Sequence, residues 1–538
     1  MKNKRINQLF IATALLLAAV SCEITTEPES TVTDAVIFND INSYKAFLAK
    51  LYGGLVVTGQ QGPHGQADFS RLDEGFTQYT RQLWQLQELP TDEAVIAWND
   101  AGLPELSNWG WASSNQFVEM VYSRVFFQIS LTNEFLRETT EAKLAGRGHT
   151  DLADVIQGYR AEARFLRALS YWHGIDLYGD IPLVTEEYPL NGPPPPQSTR
   201  QELYNYVVSE LNEIRGDLPP PGAGEYGRAD QGAVAMLLAK LYMNAGVYVG
   251  SDAYSQAMTE LDNVLGAYQL ATNYRDNFVA DNHLSPELIF AVPQDGERTR
   301  QWGGQTFLVH AQVGGSNEEM PPENWGIDGG WWGLRVTPEF VALFPGAENS
   351  PEGEYSPDGR QYFYWLIRDN GEPRSLEITS ITDWYAGWTC PKYSNLTSSG
   401  LPGSHPTFPD TDYPMFRLAD AYLMYAELAV RGAGGSTAQA AEYVNQLRQR
   451  AYGDASGNIG AGDLTLDFVL DERARELYWE GHRRTDLIRY GLFTGGDKLW
   501  SWKGNVQAGA STSDHLNVYP IPASEILANP NLTQNPGY

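Results

Sequence analysis

The chain of 538 residues is long enough to bury a large core, and 42% hydrophobic against 19% charged residues excludes both a polytopic membrane protein and a wholly disordered chain. Thirty-seven Lys and Arg against 67 Asp and Glu leave a net charge of −30, a surface that repels phosphate backbones and excludes nucleic acid as a partner. Aromatic residues make up 12% of the chain, 15 of them Trp, which is more than a core alone needs, so Trp residues in Gly-rich loops are where a binding surface is expected.

In chain order, the first feature is a targeting segment. Lys2, Lys4 and Arg5 precede an apolar stretch at 9–20 that is too short to span a bilayer, and Ala19, Val20 and Ser21 lead into Cys22. This pattern predicts a signal peptide at 1–21 and resembles a bacterial lipobox, which makes Cys22 the lipid anchor. The polar, acidic residues that follow predict a tether over 22–40 and a single folded domain at 41–538. Cys390 is then alone in the mature chain, so no internal disulfide is expected. No later segment reaches transmembrane length, so the chain is expected to be held at a membrane by its lipid rather than threaded through it.

At 156–175, Ala161, Phe165, Ala168, Leu169, Trp172 and Ile175 recur at helical spacing, and Gly179 to Pro182 stop the helix. Thr199 and Glu202 stand in capping-box spacing ahead of a second helix. Further helices are predicted at 231–245, 254–265, 415–430, 438–450 and 466–479. The expectation is a mainly α, divergent tetratricopeptide-like helical-repeat scaffold at about 155–270 and 414–482. A loop-rich insertion at about 284–413, rich in Gly, Trp, Pro and Tyr, rides on it, and irregular stretches of that length within compact domains are usually functional.

The sequence carries no His-Glu-x-x-His zinc helix, Gly-x-Ser-x-Gly elbow, Walker loop or spaced Cys/His cluster. The glycines at 432–435 and 457–462 read as turns. Glu472, Glu476 and Glu480, with Arg473, Arg475, Arg483 and Arg484 nearby, read as a charge ladder that packs the last helix against its neighbours. A surface glycoside hydrolase, which needs only two placed carboxylates, is the alternative from another class.

Three blocks carry a resemblance. Residues 162–172 (Glu-Ala-Arg-Phe-Leu-Arg-Ala-Leu-Ser-Tyr-Trp) with 177–183 (Leu-Tyr-Gly-Asp-Ile-Pro-Leu) resemble the signature helix of the SusD family of Bacteroidetes surface lipoproteins. Residues 472–487 resemble its C-terminal block, and Tyr519-Pro520-Ile521-Pro522 with Asn535-Pro536-Gly537-Tyr538 its terminus. The resemblance implies a tetratricopeptide-like body, no enzymatic activity, no cofactor, and glycan binding at the outside of the outer membrane. It also implies a SusC-like TonB-dependent transporter as partner, over which the protein would act as a lid; a lid with no glycan affinity of its own is a further alternative.

Residues 88–93, Ala97-Trp98, 294–304 and 500–504 resemble the family's starch-binding type, which implies an α-glucan ligand such as starch or maltooligosaccharide held on an arc of aromatic rings; a fructan or another glucan is the alternative. By that resemblance Arg81 and Trp98 match site residues, Trp302 stands for a tyrosine of the arc, and Trp331 or Trp332 for a tryptophan. A site asparagine falls near Asp100 and Ala101, and Ile96 replaces a stacking tryptophan, so Ile96→Trp would be expected to strengthen α-glucan binding. Arg81 could instead pair with Asp73 or Glu74, and Trp109 and Trp111 are expected to pack inside. The family's calcium stretch matches Ala280-Asp281-Asn282, but His283 interrupts the acidic run, so whether a metal binds stays open. Chemistry supports the carry-over: sugar C–H faces pack on flat rings, and hydroxyls need a few oriented donors and acceptors.

Overall fold

The computed structural model describes residues 37–63, 67–70, 72–314, 320–347, 356–365 and 373–538; the signal peptide, Cys22 and most of the tether fall outside them. Among the described residues no helix is long and apolar enough to cross a membrane. Phe38 is already buried, against Tyr44, Leu144 and Ile156.

Helices in hairpins form the body. Helix α1 (Ile41–Val56) starts where the Asp40 carboxylate accepts the Ser43 N–H at 3.0 Å. It packs on α3 (Gln116–Glu138) and α4 (Ala153–Tyr178), which lie along one another, and α2 (Tyr79–Glu88) packs on both α1 and α3. Helix α5 (Arg200–Ile214) carries the predicted capping box: the Thr199 N–H donates to Glu202 Oε2 at 2.8 Å and the Glu202 N–H to Thr199 Oγ1 at 3.2 Å. Helices α6 (Gln231–Met243) and α7 (Tyr254–Asp262) pair, as do α9 (Leu418–Val430) and α10 (Thr437–Tyr452), and α9 also contacts α11 (Leu466–Leu477); α8 (Gly304–Ala311) lies between these blocks in the chain. The helical body therefore begins at residue 41, well before the predicted 155.

Two strand pairs tie in the insertion. Strand β2 (Leu288–Val292) runs antiparallel to β4 (Tyr413–Arg417), with Leu288 opposite Arg417 and Val292 opposite Tyr413, so the insertion's entry and exit are joined at its base. This corrects the predicted helix at 415–430: 415–417 are strand, and the helix starts at Leu418. Farther up, β1 (Val95–Ile96) pairs with β3 (Leu334–Arg335), and α8 packs on α2. These contacts bring the middle of the insertion onto the N-terminal helices.

The glutamate ladder is structural. Arg360 donates to Glu472 at 2.8 Å and Glu476 at 3.0 Å, Arg417 binds Glu476 and Glu480 at 2.7 Å, and Lys392 binds Glu480 at 2.7 Å, all fully buried. The surrounding guanidinium groups hold the Glu472 and Glu476 carboxyls well below their usual range against the opposing cost of burial. Trp109 and Trp111 are buried beside Phe493, Trp500 and Tyr519, as expected of packing residues.

Candidate functional site

Where the β1–β3 pair, the start of α2 and the insertion meet, a cavity of about 600 Å³ opens on the surface. Three of the four tryptophans that line it, Trp98, Trp331 and Trp302, form one wall. Trp98 follows β1; the Ala97 N–H continues the strand pairing to the Gly333 carbonyl, and Trp98 Nε1 donates to the Trp332 carbonyl at 2.7 Å. Trp331 is held by its N–H on the His310 carbonyl at 2.8 Å, and its ring stacks on the His310 imidazole at 4.7 Å. Burial holds that imidazole below its usual range.

Trp302 is clamped at both ends of its backbone. Its N–H donates to Glu74 Oε2 at 2.9 Å, and its carbonyl accepts from Arg81 Nη1 at 3.1 Å. Glu74 also accepts from the Thr58 hydroxyl, and burial pushes its carboxyl up. Gly75 lets the two segments meet, since a Cβ there would sit 2.4 Å from the Trp302 carbonyl oxygen.

The rings share no plane. Trp98 and Trp331 lie 6.3 Å apart with a tilt of 45°, and Trp331 and Trp302 lie 6.0 Å apart with a tilt of 47°. Exposed polar groups sit beside them at Asp73, Asn99 and Asp100. Arg81 reaches the wall but is only 3% exposed, with its guanidinium 4.0 Å from the Phe76 ring centroid and 4.3 Å from that of Phe307. Burial pushes Arg81 down to about 9, with Asp73, Asp100 and Glu74 opposing, so it stays a cation at neutral pH. Its hydrogen bond goes to Trp302 and not to Asp73 or Glu74, so Arg81 supports the ring as much as it faces the cavity.

Two sequence expectations need correction. Trp332 does not line this cavity; its ring lies under the Arg374 guanidinium at 3.6 Å and meets Tyr385 edge-on at 5.8 Å. Ile96 is 0% exposed, because pairing with Leu334 buries it in the main core behind the wall, where it cannot extend the ring set. Conversely, Asp73, Phe76, Asn99 and Trp384 line the cavity without having been singled out as site residues. Trp384 had a usable signal, since Trp384-Tyr385-Ala386-Gly387-Trp388 is the aromatic, Gly-containing pattern flagged for the insertion.

In the stretch matched to a calcium site the side chains are engaged within the protein. The Asp281 carboxylate accepts from the Ser398 N–H at 2.6 Å and hydroxyl at 2.7 Å, and the Asn282 amide donates to the Asn277 and Asp412 carbonyls. Among the described residues no three His, Cys, Asp or Glu side chains converge as a metal site.

Comparison with known proteins agrees with the fold. A model described as the SusD family matches residues 383–538. The starch-binding protein SusD of Bacteroides thetaiotaomicron is 36% identical over 581 aligned positions that cover 100% of both chains. The chain belongs to the SusD family. Among solved structures, a SusD superfamily protein from Parabacteroides distasonis superposes with a TM-score of 0.69 at 22% identity, covering 92% of this chain and 99% of that one. Surface glycan-binding protein A from Bacteroides thetaiotaomicron, solved in complex with laminarihexaose, gives 0.65 at 19% identity over 92% and 99%. Within this family member, the cavity's tilted rings and neighbouring carboxylates make a surface suited to a polyhydroxylated ligand with apolar faces. The buried, ion-paired glutamates of α11 face no cavity of this kind.

Proposed function

We propose that the protein captures a curved glucan, starch or maltooligosaccharide, on Trp98, Trp331 and Trp302, without covalent chemistry. The observation that carries this reading is the pair of ring tilts of 45° and 47° at about 6 Å spacing. A flat β-1,4-linked chain stacks best on coplanar rings, whereas an α-1,4-linked chain coils and turns successive sugar faces through large angles. Asp73, Asn99 and Asp100 supply hydroxyl partners at the rim. Full-length similarity to a starch-binding protein supports the same ligand. A β-1,3-glucan such as laminarin, which also coils, is the second reading, favoured by the same tilts and by the laminarihexaose complex of a relative with this fold.

Family membership supports a cell-surface position at the outer membrane, a lipid on Cys22 and delivery to a SusC-like TonB-dependent transporter. Affinity gel electrophoresis of residues 23–538 against amylopectin, pullulan, glycogen, laminarin, inulin and xylan tests the ligand. Retardation by the α-glucans, lost in Trp331→Ala, is the expected result; retardation by laminarin alone moves the reading to β-1,3-glucan, and retardation by inulin or xylan alone overturns it. Reducing-end release from starch, abolished by a single carboxylate substitution, would replace binding with hydrolysis.

A further inference from the structure

The aromatic surface continues past Trp98. Gly333, at φ +102°, leaves bare backbone there: a Cβ would sit 2.5 Å from Trp98 Nε1 and 3.3 Å from Trp384 Cζ3. Trp384 therefore reaches the Gly333 backbone beside Trp98, lines the same cavity and remains 40% exposed. Tyr385 follows it, is 52% exposed, and carries the surface on to Trp332, whose ring it meets at 5.8 Å.

Two arginines fix the loop that presents these rings. Buried Arg335, on β3, donates to the carbonyls of Ile381 at 2.5 Å, Asp383 at 2.6 Å and Ala386 at 2.5 Å. Arg374 donates to the Trp384 carbonyl at 2.6 Å, with its guanidinium 3.6 Å from the Trp332 ring centroid and 4.9 Å from that of Tyr385. Rings held in one conformation before a ligand arrives lose little freedom when they bind it. Trp384 thus turns part of a large aromatic face to water beside an open cavity.

We infer that the 381–386 loop is a second wall of the glucan site, on which Trp384 and Tyr385 take the sugar units running beyond Trp98, so that the site favours long chains over short ones. The order of rings along the surface is Trp302, Trp331, Trp98, Trp384 and Tyr385, and a trisaccharide covers only the first three. This inference rests on the glucan reading above.

Calorimetric titration of the purified chain with maltotriose, maltopentaose and maltoheptaose, for the native protein, Trp384→Ala and Tyr385→Ala, tests it. The melting temperature of each variant is measured in parallel, which separates lost affinity from lost folding. The native protein should bind maltoheptaose more tightly than maltotriose, each variant should weaken maltoheptaose about fivefold, and Tyr385→Ala, outside the cavity lining, should leave maltotriose within about twofold. Native protein that binds none of the three overturns the α-glucan reading itself. Native binding with maltoheptaose affinity unchanged in both variants overturns the second wall alone, and equal weakening of short and long chains overturns its role in selecting length.

Discussion

Gly75→Ala should weaken glucan binding although residue 75 touches no ligand. An added Cβ would lie 2.4 Å from the Trp302 carbonyl oxygen, 2.6 Å from its carbon and 2.8 Å from its Cβ, whereas ordinary contact begins at 3.4 Å. The clash is with backbone, which cannot swing aside as a long side chain can, so Trp302 must move outward by about 1 Å. That movement also stretches the bonds to Glu74 and Arg81, now 2.9 and 3.1 Å. A gap of about 0.5–1 Å forfeits about a quarter to a half of a dispersion contact, and a stacked ring is worth about 0.5–1.5 kcal/mol. Maltoheptaose affinity should therefore fall by up to about fourfold, at a stability cost of about 1–3 kcal/mol from overpacking. Titration calorimetry reads the first and thermal melting the second. A variant with lower stability and native affinity would refute the reasoning, because Trp302 would then have moved without consequence for the ligand.

Ile96→Trp should not improve binding: the side chain is fully buried behind the wall, so the larger ring should lower stability by about 1–3 kcal/mol, visible as a lower melting temperature. Glu88 and Glu93 form a fully buried carboxyl pair; burial raises both, Glu93 to about 8, although Arg483 opposes this at Glu93. Because the folded pKa lies above the unfolded one, the pair's contribution is present in acid and lost as pH rises through about 8. Melting temperature should thus fall from about pH 5 to about pH 9, and fall less in Glu93→Gln; an identical slope would show that the Glu93 carboxyl is not raised. Arg360→Met should cost about 3–5 kcal/mol by leaving the buried Asp358 carboxylate, paired with Arg360 at 2.5 Å, without its cation and by removing one of the cations on Glu472 and Glu476, read by denaturant unfolding.

The sequence is most legible where local rules act alone. Thr199 and Glu202 read as a capping box because cap chemistry involves only neighbours in the chain, and the structure has both of its hydrogen bonds. Helix α2 was invisible to periodicity because all ten of its residues are buried, Gln82, Gln85, Gln87 and Glu88 included, so it has no polar face to set a period. Residues 415–417 join an apolar run that continues into α9, and only pairing with 288–292, far away in the chain, makes them strand. At the site, Trp98, Trp302 and Trp331 came through family resemblance and line one cavity together. The choice between Trp331 and Trp332 depended on a backbone turn, with Trp332 at φ +55° and Gly333 at +102°, that no pattern in the side chains announces. Ile96 was misread and Trp384 went unnoticed for the same reason: whether a side chain near the site faces the ligand is set by its long-range neighbours, Leu334 for one and the Gly333 backbone for the other.

Whether the tilted indoles of Trp98, Trp331 and Trp302 hold a coiled glucan can be read from intrinsic tryptophan fluorescence during titration with maltoheptaose, laminarihexaose and cellohexaose. A saturable change is expected with maltoheptaose, none with cellohexaose, and the response should be lost when Trp98, Trp302 and Trp331 are replaced together by Ala. Saturable binding of cellohexaose, or maltoheptaose binding by calorimetry that survives removal of all three rings, would contradict this reading.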